Sequence, residues 1–343
     1  GEVSGMVKLN KIAPTPAADS ASDDILLDIK DLSVEFWTEL GVKQAINHLN
    51  LTIRKGEALG LVGEAGAGKT STALAILRLL QPKVSKVVSG SIYYKGVDMA
   101  TYSEKQMQNL RGNNISMIFQ NPLTSLNPVF TVGEQLALVL RKHQHMRNKE
   151  AFQEAGRLME MVGIRADRIK DFPHQFSGGM RQRIGIAAGL ACNPELLIAD
   201  EPTTALDVTI QAQILELIKE LEQKYDTSLL MITHNLGIIS ELCRNVAVMY
   251  AGTIIEYGSV KEVFKNPLHP YTRGLLGAIP TLEDSKDRLM AIRGAVADPY
   301  HLPQGCSFGP RCDRCCEKCE NGYPPLTKIT ENHYVACWCH KEG

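Results

Sequence analysis

The order of its apolar segments predicts an α/β fold with a mainly parallel sheet for this chain of 343 residues. Three short apolar runs have the length of buried strands: ALGLVG at residues 58–63, ELLIAD at 195–200 and SLLMIT at 228–233. Helical patterns lie between them, and strands that alternate with helices build parallel sheets. Because the carboxyl ends of parallel strands share one edge, we expect a ligand site at that edge.

Two segments ahead of the first run alternate apolar and polar residues with a period of two. They are LLDIKDLSVEF at residues 26–36 and HLNLTIRKGE at 48–57, and both predict strands. The overall composition is that of a globular protein, with 44% hydrophobic and 22% charged residues and a net charge of −1. This balance gives no electrostatic reason to expect nucleic acid as a partner.

No apolar run approaches the roughly 20 residues that a membrane-spanning helix requires. The first residues also lack the apolar segment of a secretory signal. Residues 1–24 are rich in Ala, Ser, Pro and Asp and are predicted to form a flexible tail.

The first apolar run leads into a glycine-rich loop, GEAGAGKTS at residues 63–71, which fits the pattern G-x-x-x-x-G-K-[ST]. Glycines let backbone N–H groups wrap a phosphate chain, and the following helix presents its positive end to the anion. Lys69 is expected to bind the β- and γ-phosphates, and the Thr70 hydroxyl is expected to ligate Mg²⁺. The candidate phosphate contacts are Gly63, Gly66, Gly68, Lys69, Thr70 and Ser71.

The other two apolar runs end in residues suited to phosphate chemistry. Asp200 and Glu201 follow the second run, where one carboxylate can hold Mg²⁺ and the next can polarise an attacking water. His234 follows the third run and can contact the γ-phosphate. Each feature alone is more often structural, but the glycine-rich loop upstream favours the functional interpretation.

The segment FSGGMRQR, residues 176–183, places a serine and two glycines at the start of a predicted helix. Ser177 can simply cap that helix. Its hydroxyl can also join the N–H groups of Gly178 and Gly179 in a second anion site.

In this order, these motifs resemble those of ATP-binding cassette (ABC) transporter ATPases over residues 26–262. The resemblance includes FSGGM, the glutamine Gln120 in IFQNP and the segment ALD at residues 205–207. It implies a P-loop NTPase cassette with a RecA-like core, an antiparallel β subdomain and a helical subdomain. It also implies that two cassettes sandwich two nucleotides, so that a lone chain is nearly inactive.

The resemblance assigns roles to individual residues. Three have implied catalytic roles: Glu201, His234 and Gln120. Three are implied ligands of Mg²⁺: Thr70, Gln120 and Asp200. Four are implied nucleotide contacts, the first three toward the ATP of the partner cassette: Ser177, Gly178, Gly179 and Asp207. Phe36 is predicted to stack on adenine, with Trp37 as the second choice.

The cassette is predicted to span residues 25–262, with its helical subdomain at about 121–190. It is preceded by the tail of residues 1–24 and followed by a C-terminal extension of residues 263–343. No internal repeat is evident, so the chain is predicted to hold one cassette.

Seven of the nine cysteines lie beyond residue 305. In a cytosolic chain such a cluster favours metal binding over disulfides. The pairs Cys312/Cys315 and Cys316/Cys319 have the C-x-x-C spacing of zinc sites, and spacing alone does not separate iron from zinc.

Three segments of the extension, NPLHPYTRGLL, LPQGCSFGPRC and HYVACW, resemble the C-terminal extension of dipeptide and oligopeptide importer ATPases. Some members of that group carry a [4Fe–4S] cluster. The matching positions in this chain are Cys306, Cys312, Cys319 and Cys337. The resemblance therefore implies a cluster, with Zn²⁺ as one alternative and reduced thiols or artefactual disulfides as another.

Met180 in the signature resembles the D-type subunit of these importers. The implied function is ATP hydrolysis coupled to the uptake of dipeptides or oligopeptides at the cytoplasmic face of the inner membrane. The implied partners are a paralogous F-type ATPase subunit, two membrane permeases and an extracytoplasmic substrate-binding protein. The same family also moves nickel or oligosaccharides, so the cargo stays open.

Two other classes of protein use parts of the same pattern. Soluble ABC ATPases of repair or ribosome recycling also join cassettes to metal sites, but they usually carry a second cassette or long insertions, and basic surfaces. Phosphoryl transfer of the adenylate-kinase type uses the same loop, but it would leave FSGGM and Gln120 without a role.

Overall fold

The computed structural model describes residues 24–120, 126–204, 206–278 and 292–340. Its strands are β1 (Ile25–Thr38), β2 (Gly41–Arg54), β3 (Ala58–Val62), β4 (Ser85–Tyr94), β5 (Val97–Asp98), β6 (Ile115–Ile118), β7 (Leu196–Asp200), β8 (Ser228–Thr233), β9 (Asn245–Tyr250), β10 (Thr253–Ser259), β11 (Thr327–Thr330) and β12 (His333–Val335). The predicted tail, apart from Asp24, and Ala205 of the ALD segment lie outside the described residues.

The α-helices of the same ranges are α1 (Lys69–Ile76), α2 (Glu104–Leu110), α3 (Val132–Gln144), α4 (Asn148–Met161), α5 (Gly178–Leu190), α6 (Val208–Tyr225), α7 (Leu236–Leu242), α8 (Val260–Lys265), α9 (Pro270–Gly277) and α10 (Glu317–Asn321). Short 3₁₀ turns lie at Met99–Thr101, Ala166–Lys170, Pro173–Gln175 and Gly309–Arg311. Within the described ranges, no helix combines the length and the apolar character needed to cross a bilayer.

The larger sheet has the strand order β11-β12-β10-β9-β3-β8-β7-β6. The strands from β9 to β6 run parallel to their neighbours, whereas β10, β12 and β11 are added to β9 by antiparallel pairing. Helices lie between consecutive parallel strands in the chain, as such connections require. The predicted α/β fold with a mainly parallel sheet is confirmed.

Alternate residues of the parallel strands enter two different cores. In β7, Leu196 and Ile198 belong to the core beneath the antiparallel sheet, and Leu197 and Ala199 belong to the core beneath α6, α7, α8 and α9. Because both faces of the sheet are covered, these strands appear in the sequence as continuous apolar runs.

A second sheet, of order β2-β1-β4-β5, is antiparallel and packs on the first of these cores. It corresponds to the predicted antiparallel β subdomain. Strand β2 begins at Gly41 rather than at the predicted residue 48, because the hairpin with β1 closes at the pair Thr38–Gly41. The segment between has no regular alternation of apolar and polar residues, so the sequence pattern did not indicate it.

Helices α3, α4 and α5 surround a third core, which contains Leu136, Ala155 and Ile184. The first of them begins with a capping box. The Thr131 hydroxyl accepts from the Glu134 backbone N–H at 3.2 Å, and the Glu134 carboxylate accepts from the Thr131 backbone N–H at 2.8 Å. The described helices of the predicted helical subdomain lie between residues 132 and 190, and its exact limits stay a prediction.

The C-terminal extension is joined to the sheet of the cassette. Strand β12 pairs with β10, and His333 Nε2 lies 2.7 Å from Glu256 Oε1, with both side chains buried. The Glu256 carboxylate also accepts from the backbone N–H groups of Leu268 at 2.8 Å and His269 at 2.9 Å. The domain limit near residue 262 stays a prediction, but a buried polar network crosses it.

His269 should make the stability of the protein depend on pH. Burial lowers the pKa of this imidazole to about 4, against the opposing effect of the Glu256 carboxylate. The ordinary value in an unfolded chain is about 6.5. The unfolded chain therefore binds the additional proton between these values, so stability falls as the pH drops below about 6.5. At about pH 5, this residue should have lowered the free energy of unfolding by about 2 kcal/mol.

Urea unfolding at about pH 7.5 and about pH 5 measures this effect. In the wild-type chain the Tyr271 backbone N–H lies 3.0 Å from Nδ1 of His269, and His269→Asn keeps an acceptor for it. Because asparagine cannot titrate, the difference in unfolding free energy between the two pH values should shrink by about 2 kcal/mol. His145→Asn is the control, since that exposed residue ends α3 in a left-handed conformation that Asn tolerates. If the difference in unfolding free energy between the two pH values is unchanged in His269→Asn, His269 is not the cause of the pH dependence.

Candidate functional site

The glycine-rich loop, residues 63–68, connects β3 to α1 at the carboxyl edge of the parallel strands. A Cβ on Gly63 would lie 2.2 Å from the Met249 carbonyl oxygen, and a Cβ on Gly68 would lie 2.5 Å from that of Ala45. Gly68 also has a φ of +106°. Only glycine therefore fits at these two positions, and the loop can turn its backbone toward an anion.

Lys69 is the first residue of α1, and its ammonium group lies over the loop. Its Nζ donates to the carbonyl oxygens of Gly63 at 2.8 Å and Glu64 at 3.1 Å. Burial lowers the pKa of Lys69, although the carboxylates of Glu201, Asp200 and Glu64 favour its charged form. The predicted phosphate-binding lysine is thus placed between the loop and the acidic residues.

Asp200 ends β7 with a carboxylate that is almost fully buried. Burial raises its pKa, and a hydrogen bond with the Thr70 side chain opposes this shift. Its Oδ1 has no hydrogen-bond partner within the described part of the chain. A buried carboxylate oxygen without a partner, beside a hydroxyl at the start of a helix, fits Mg²⁺, which prefers oxygen ligands. Ser71 lies half-buried at the next position of α1.

Three side chains from different loops converge on the Glu201 carboxylate. Gln120 Nε2 and Thr204 Oγ1 each donate to Oε2 at 2.9 Å, and His234 Nδ1 lies 3.1 Å from Oε1. The Glu201 backbone N–H donates to the carbonyl oxygen of Ile232 at 2.8 Å, which attaches this residue to β8. The structure therefore brings together the three residues for which catalytic roles were predicted.

These contacts keep Glu201 in its ionised form. Burial acts to raise the pKa of the carboxyl group, but the hydrogen bonds with His234 and Thr204 outweigh it and the pKa lies below its ordinary value. An ionised carboxylate can accept a proton from water. Thr204 was not among the predicted site residues. Its place three residues after Glu201, within the segment DEPTT, is the sequence signal that indicates it.

The residues predicted to contact a partner's nucleotide lie on the surface. Ser177 caps α5 by accepting from the Met180 backbone N–H at 3.3 Å, and Ser177 and Gly178 are exposed. Asp207 caps α6 in the same way, accepting from Ile210 at 2.9 Å. No hydrogen bond joins these caps to the glycine-rich loop in the ranges that the structure describes. The capping interpretation of Ser177 is therefore satisfied, and it leaves Gly178 and the half-buried Gly179 available to a second molecule.

Phe36 and Trp37 lie near the end of β1. Phe36 is half-buried and packs against the core beneath the antiparallel sheet, whereas Trp37 is 43% exposed. The role of either ring at adenine stays a prediction.

The thiols of the extension form a compact group. Cys316 Sγ lies 3.5 Å from Cys319 Sγ and 3.3 Å from Cys339 Sγ, and all three sulfur atoms lie within 4.8 Å of one another. Of the four positions predicted from the resemblance, Cys319 alone belongs to this triplet. The C-x-x-C spacing indicated the pair Cys316/Cys319, but no local pattern indicated Cys339, which lies 20 residues further along the chain.

The four predicted thiols lie close enough for their charges to interact. Burial raises the pKa of Cys306 to about 12, and the neighbouring Cys319 and Cys337 add to this shift. Burial also raises the pKa of Cys337, with further contributions from Cys312 and Cys319. Each thiolate of a [4Fe–4S] cluster binds a different iron, so these sulfur atoms need not touch. Four thiolates are the ligands that a cluster requires, and the assignment of these four residues stays a prediction.

Comparison with known proteins gives two family matches. Residues 46–204 match the ABC transporter family, and residues 255–319 match the oligopeptide/dipeptide transporter C-terminal region. The oligopeptide transport ATP-binding protein AppD of Bacillus subtilis is 48% identical over 92% of this chain and 97% of its own length. The dipeptide transport ATP-binding protein DppD of the same organism is 47% identical, over 91% of this chain and 94% of its own length. OppD of Salmonella typhimurium is 46% identical over 95% of both chains.

Solved structures share the fold. The dimeric structure of MJ0796, a bacterial ABC transporter cassette, matches 68% of this chain and 99% of its own, with a TM-score of 0.62 at 24% identity. The structure of cbiO1 from Clostridium perfringens, part of the transporter complex cbiONQ, matches 71% of this chain and 92% of its own, with a TM-score of 0.60 at 27% identity. With relatives that match along nine-tenths of its length, the chain belongs to the ABC transporter family, as an ATP-hydrolysing protein of the branch with the oligopeptide/dipeptide transporter C-terminal region.

Proposed function

We propose that this chain is the ATP-hydrolysing subunit of an importer that carries dipeptides or oligopeptides through membrane permeases. The observation that carries the chemistry is the Glu201 carboxylate, which Gln120, Thr204 and His234 contact at the end of β7. The cargo is supported by the relatives, which are named as oligopeptide and dipeptide transport proteins.

In this mechanism the loop N–H groups and Lys69 bind the phosphate chain of ATP. The residues that would hold Mg²⁺ are Thr70, Gln120 and Asp200, and the ion supplies charge neutralisation on the phosphate oxygens when it is bound. Glu201 orients the attacking water and accepts its proton. His234 holds the Glu201 carboxylate in place and faces the γ-phosphate.

The exposed Ser177 and Gly178 and the half-buried Gly179 support pairing with a second cassette, whose ATP they would contact from outside. Asp207 and Phe36 complete the proposed nucleotide contacts. We assign the second cassette to a paralogous F-type subunit and the remaining partners to two permeases and an extracytoplasmic substrate-binding protein. The chain then lies at the cytoplasmic face of the inner membrane as a peripheral subunit, with no role in binding nucleic acid.

For the extension, the proposal retains a [4Fe–4S] cluster on Cys306, Cys312, Cys319 and Cys337, with Zn²⁺ as the alternative. Protein purified without oxygen should contain about four irons per chain and a broad visible absorption that dithionite bleaches. A colourless protein without iron would contradict the cluster and leave the ATPase assignment untouched.

Reconstitution in liposomes tests the transport function. The full complex, with both ATPase subunits, the permeases and the binding protein, should take up a labelled dipeptide or oligopeptide and hydrolyse ATP faster in its presence. Uptake of a nickel chelate or an oligosaccharide, but not of any peptide, would contradict the proposed cargo. ATP hydrolysis without stimulation by the complete complex would contradict the coupling itself.

Glu201→Gln should abolish most of the ATPase activity of that complex. The amide keeps the size of the side chain and can still accept from Gln120 and Thr204, but it cannot take a proton from water. The hydrolysis rate should fall by about 10²- to 10⁴-fold, while ATP binding persists because the glycine-rich loop is intact.

Glu216→Gln, at an exposed position of α6, is the matched control and should leave the hydrolysis rate and ATP binding unchanged. Steady-state hydrolysis and equilibrium binding of a fluorescent ATP analogue are the two measurements. A Glu201→Gln complex that retains near-normal hydrolysis would show that another group activates the water.

A further inference from the structure

A second ligand set is present among the thiols of the extension, distinct from the four positions that the resemblance indicates. Cys316 precedes α10 and Cys319 lies within it, so the spacing of three residues places both on one side of the turn. Cys339 follows β12 and reaches the same point from the end of the described chain. Cys319 and Cys339 are buried, and Cys316 is half-buried.

The distances among these thiols are those of a single metal ion. Zinc–thiolate bonds are about 2.3 Å long, so two sulfur atoms on one tetrahedral ion lie about 3.8 Å apart. The observed separations of 3.3 Å and 3.5 Å are close to this value. Thiols are weak hydrogen-bonding groups, so contact among three of them contributes little stability without an ion.

His340 lies next to the triplet in the chain, although its ring nitrogens do not belong to the group of ligand atoms that lie within 4.8 Å of one another. It follows Cys339 directly, and its Nδ1 lies 2.6 Å from the carbonyl oxygen of Cys337. Its Nε2 is buried and has no hydrogen-bond partner among the described residues. A ring with one nitrogen fixed by a carbonyl and the other unpartnered is typical of metal-binding histidines.

We propose that Cys316, Cys319 and Cys339 bind one zinc ion, and that a movement of the His340 ring would bring its Nε2 to the fourth position. The site does not depend on the proposed transport function. Because Cys319 belongs to both ligand sets, the two cannot be filled in one chain, so the triplet binds zinc in chains that carry no cluster.

Titration of the reduced, metal-free full chain with Co²⁺ as a spectroscopic substitute for Zn²⁺ tests the site. We expect one ion per chain, with thiolate charge-transfer absorption and the strong visible bands of tetrahedral cobalt. Cys316→Ser and Cys339→Ser should each weaken binding by about 100-fold or more, and His340→Gln by a smaller factor. Excess Zn²⁺ should displace the cobalt.

Cys315→Ser is the matched control, since this neighbouring thiol is exposed and lies outside the triplet. Cys306→Ser and Cys312→Ser should also retain the ion. Loss of cobalt binding in these two variants but not in Cys316→Ser and Cys339→Ser would assign the metal to the four-thiol set and overturn the proposal. Failure of the parent chain to bind cobalt would overturn it as well. Binding of the fluorescent ATP analogue shows that each variant is folded.

A different observation connects the extension to the glycine-rich loop. The Arg311 side chain is only 5% exposed and forms a two-pronged contact with the Glu64 carboxylate, from Nη1 to Oε2 at 2.7 Å and from Nη2 to Oε1 at 3.2 Å. Its Nε donates to the Arg293 carbonyl oxygen at 3.0 Å. The Glu64 backbone N–H donates to the Tyr271 hydroxyl at 2.8 Å. Arg311 and Tyr271, both from the predicted C-terminal extension, therefore contact the second residue of the glycine-rich loop.

The contact between Arg311 and Glu64 affects the electrostatic charge of the glycine-rich loop where ATP binds. Glu64 carries a negative charge within the loop that binds a negatively charged phosphate chain. A planar guanidinium that binds both carboxylate oxygens neutralises that charge and fixes its direction. We infer that Arg311 is a positioning residue for ATP binding, acting through Glu64.

Replacement of both partners separates this role from a merely structural one. Arg311→Ala should raise the KM for ATP of the complex about tenfold with a smaller change in kcat, because it leaves the Glu64 charge unpaired in the loop. Glu64→Gln alone should change KM little, and adding it to Arg311→Ala should restore most of the affinity. Arg311→Lys should have an intermediate effect, since an ammonium cannot bind both oxygens in the same plane.

Arg293→Ala is the control, because that side chain is exposed and only its carbonyl oxygen contacts Arg311. An unchanged KM in Arg311→Ala would overturn the inference. A double variant as impaired as Arg311→Ala would also overturn it, since the defect would then come from the fold and not from the Glu64 charge.

Discussion

The candidate site depends on the parallel pairing of four neighbouring strands, β3, β8, β7 and β6. Because they run in one direction, the loops that follow them meet at one edge of the sheet. That edge brings Lys69, Gln120, Glu201 and His234 together from positions spread along much of the chain. The chemistry of each residue is ordinary, and it is the common strand direction that places a base, a cation and the glycine-rich loop at the same edge of the sheet.

Local sequence was sufficient to predict the parts of this arrangement that depend on backbone geometry or on strand burial. The loop needs glycine at positions 63 and 68, since a Cβ would collide with neighbouring carbonyl groups, so its pattern is visible in the sequence. The strands before Asp200 and His234 are covered on both faces, so they appear as uninterrupted apolar runs. The positions of the functional residues at the ends of those runs followed from the same reasoning.

The remaining features depend on contacts between distant segments, which periodicity does not encode. Thr204 gains its role from a hydrogen bond to Glu201, and a threonine in a loop has no distinctive pattern of its own. The thiol triplet requires β12 to return the chain to α10 before Cys339 meets Cys316. Pairing of β12 with β10 could not be predicted either, because a strand of three residues is too short to show alternation.

The extension and the nucleotide site are parts of one structure, and this has a thermodynamic consequence. Arg311 lies between Cys306 and Cys319, and the Cys306 backbone N–H donates to the Cys319 carbonyl oxygen at 2.8 Å. An ion on the thiol triplet would therefore restrict the same segment that carries Arg311 to Glu64. A ligand that binds the folded chain and not the unfolded chain stabilises the fold, so the ion would stabilise the segment that carries Arg311.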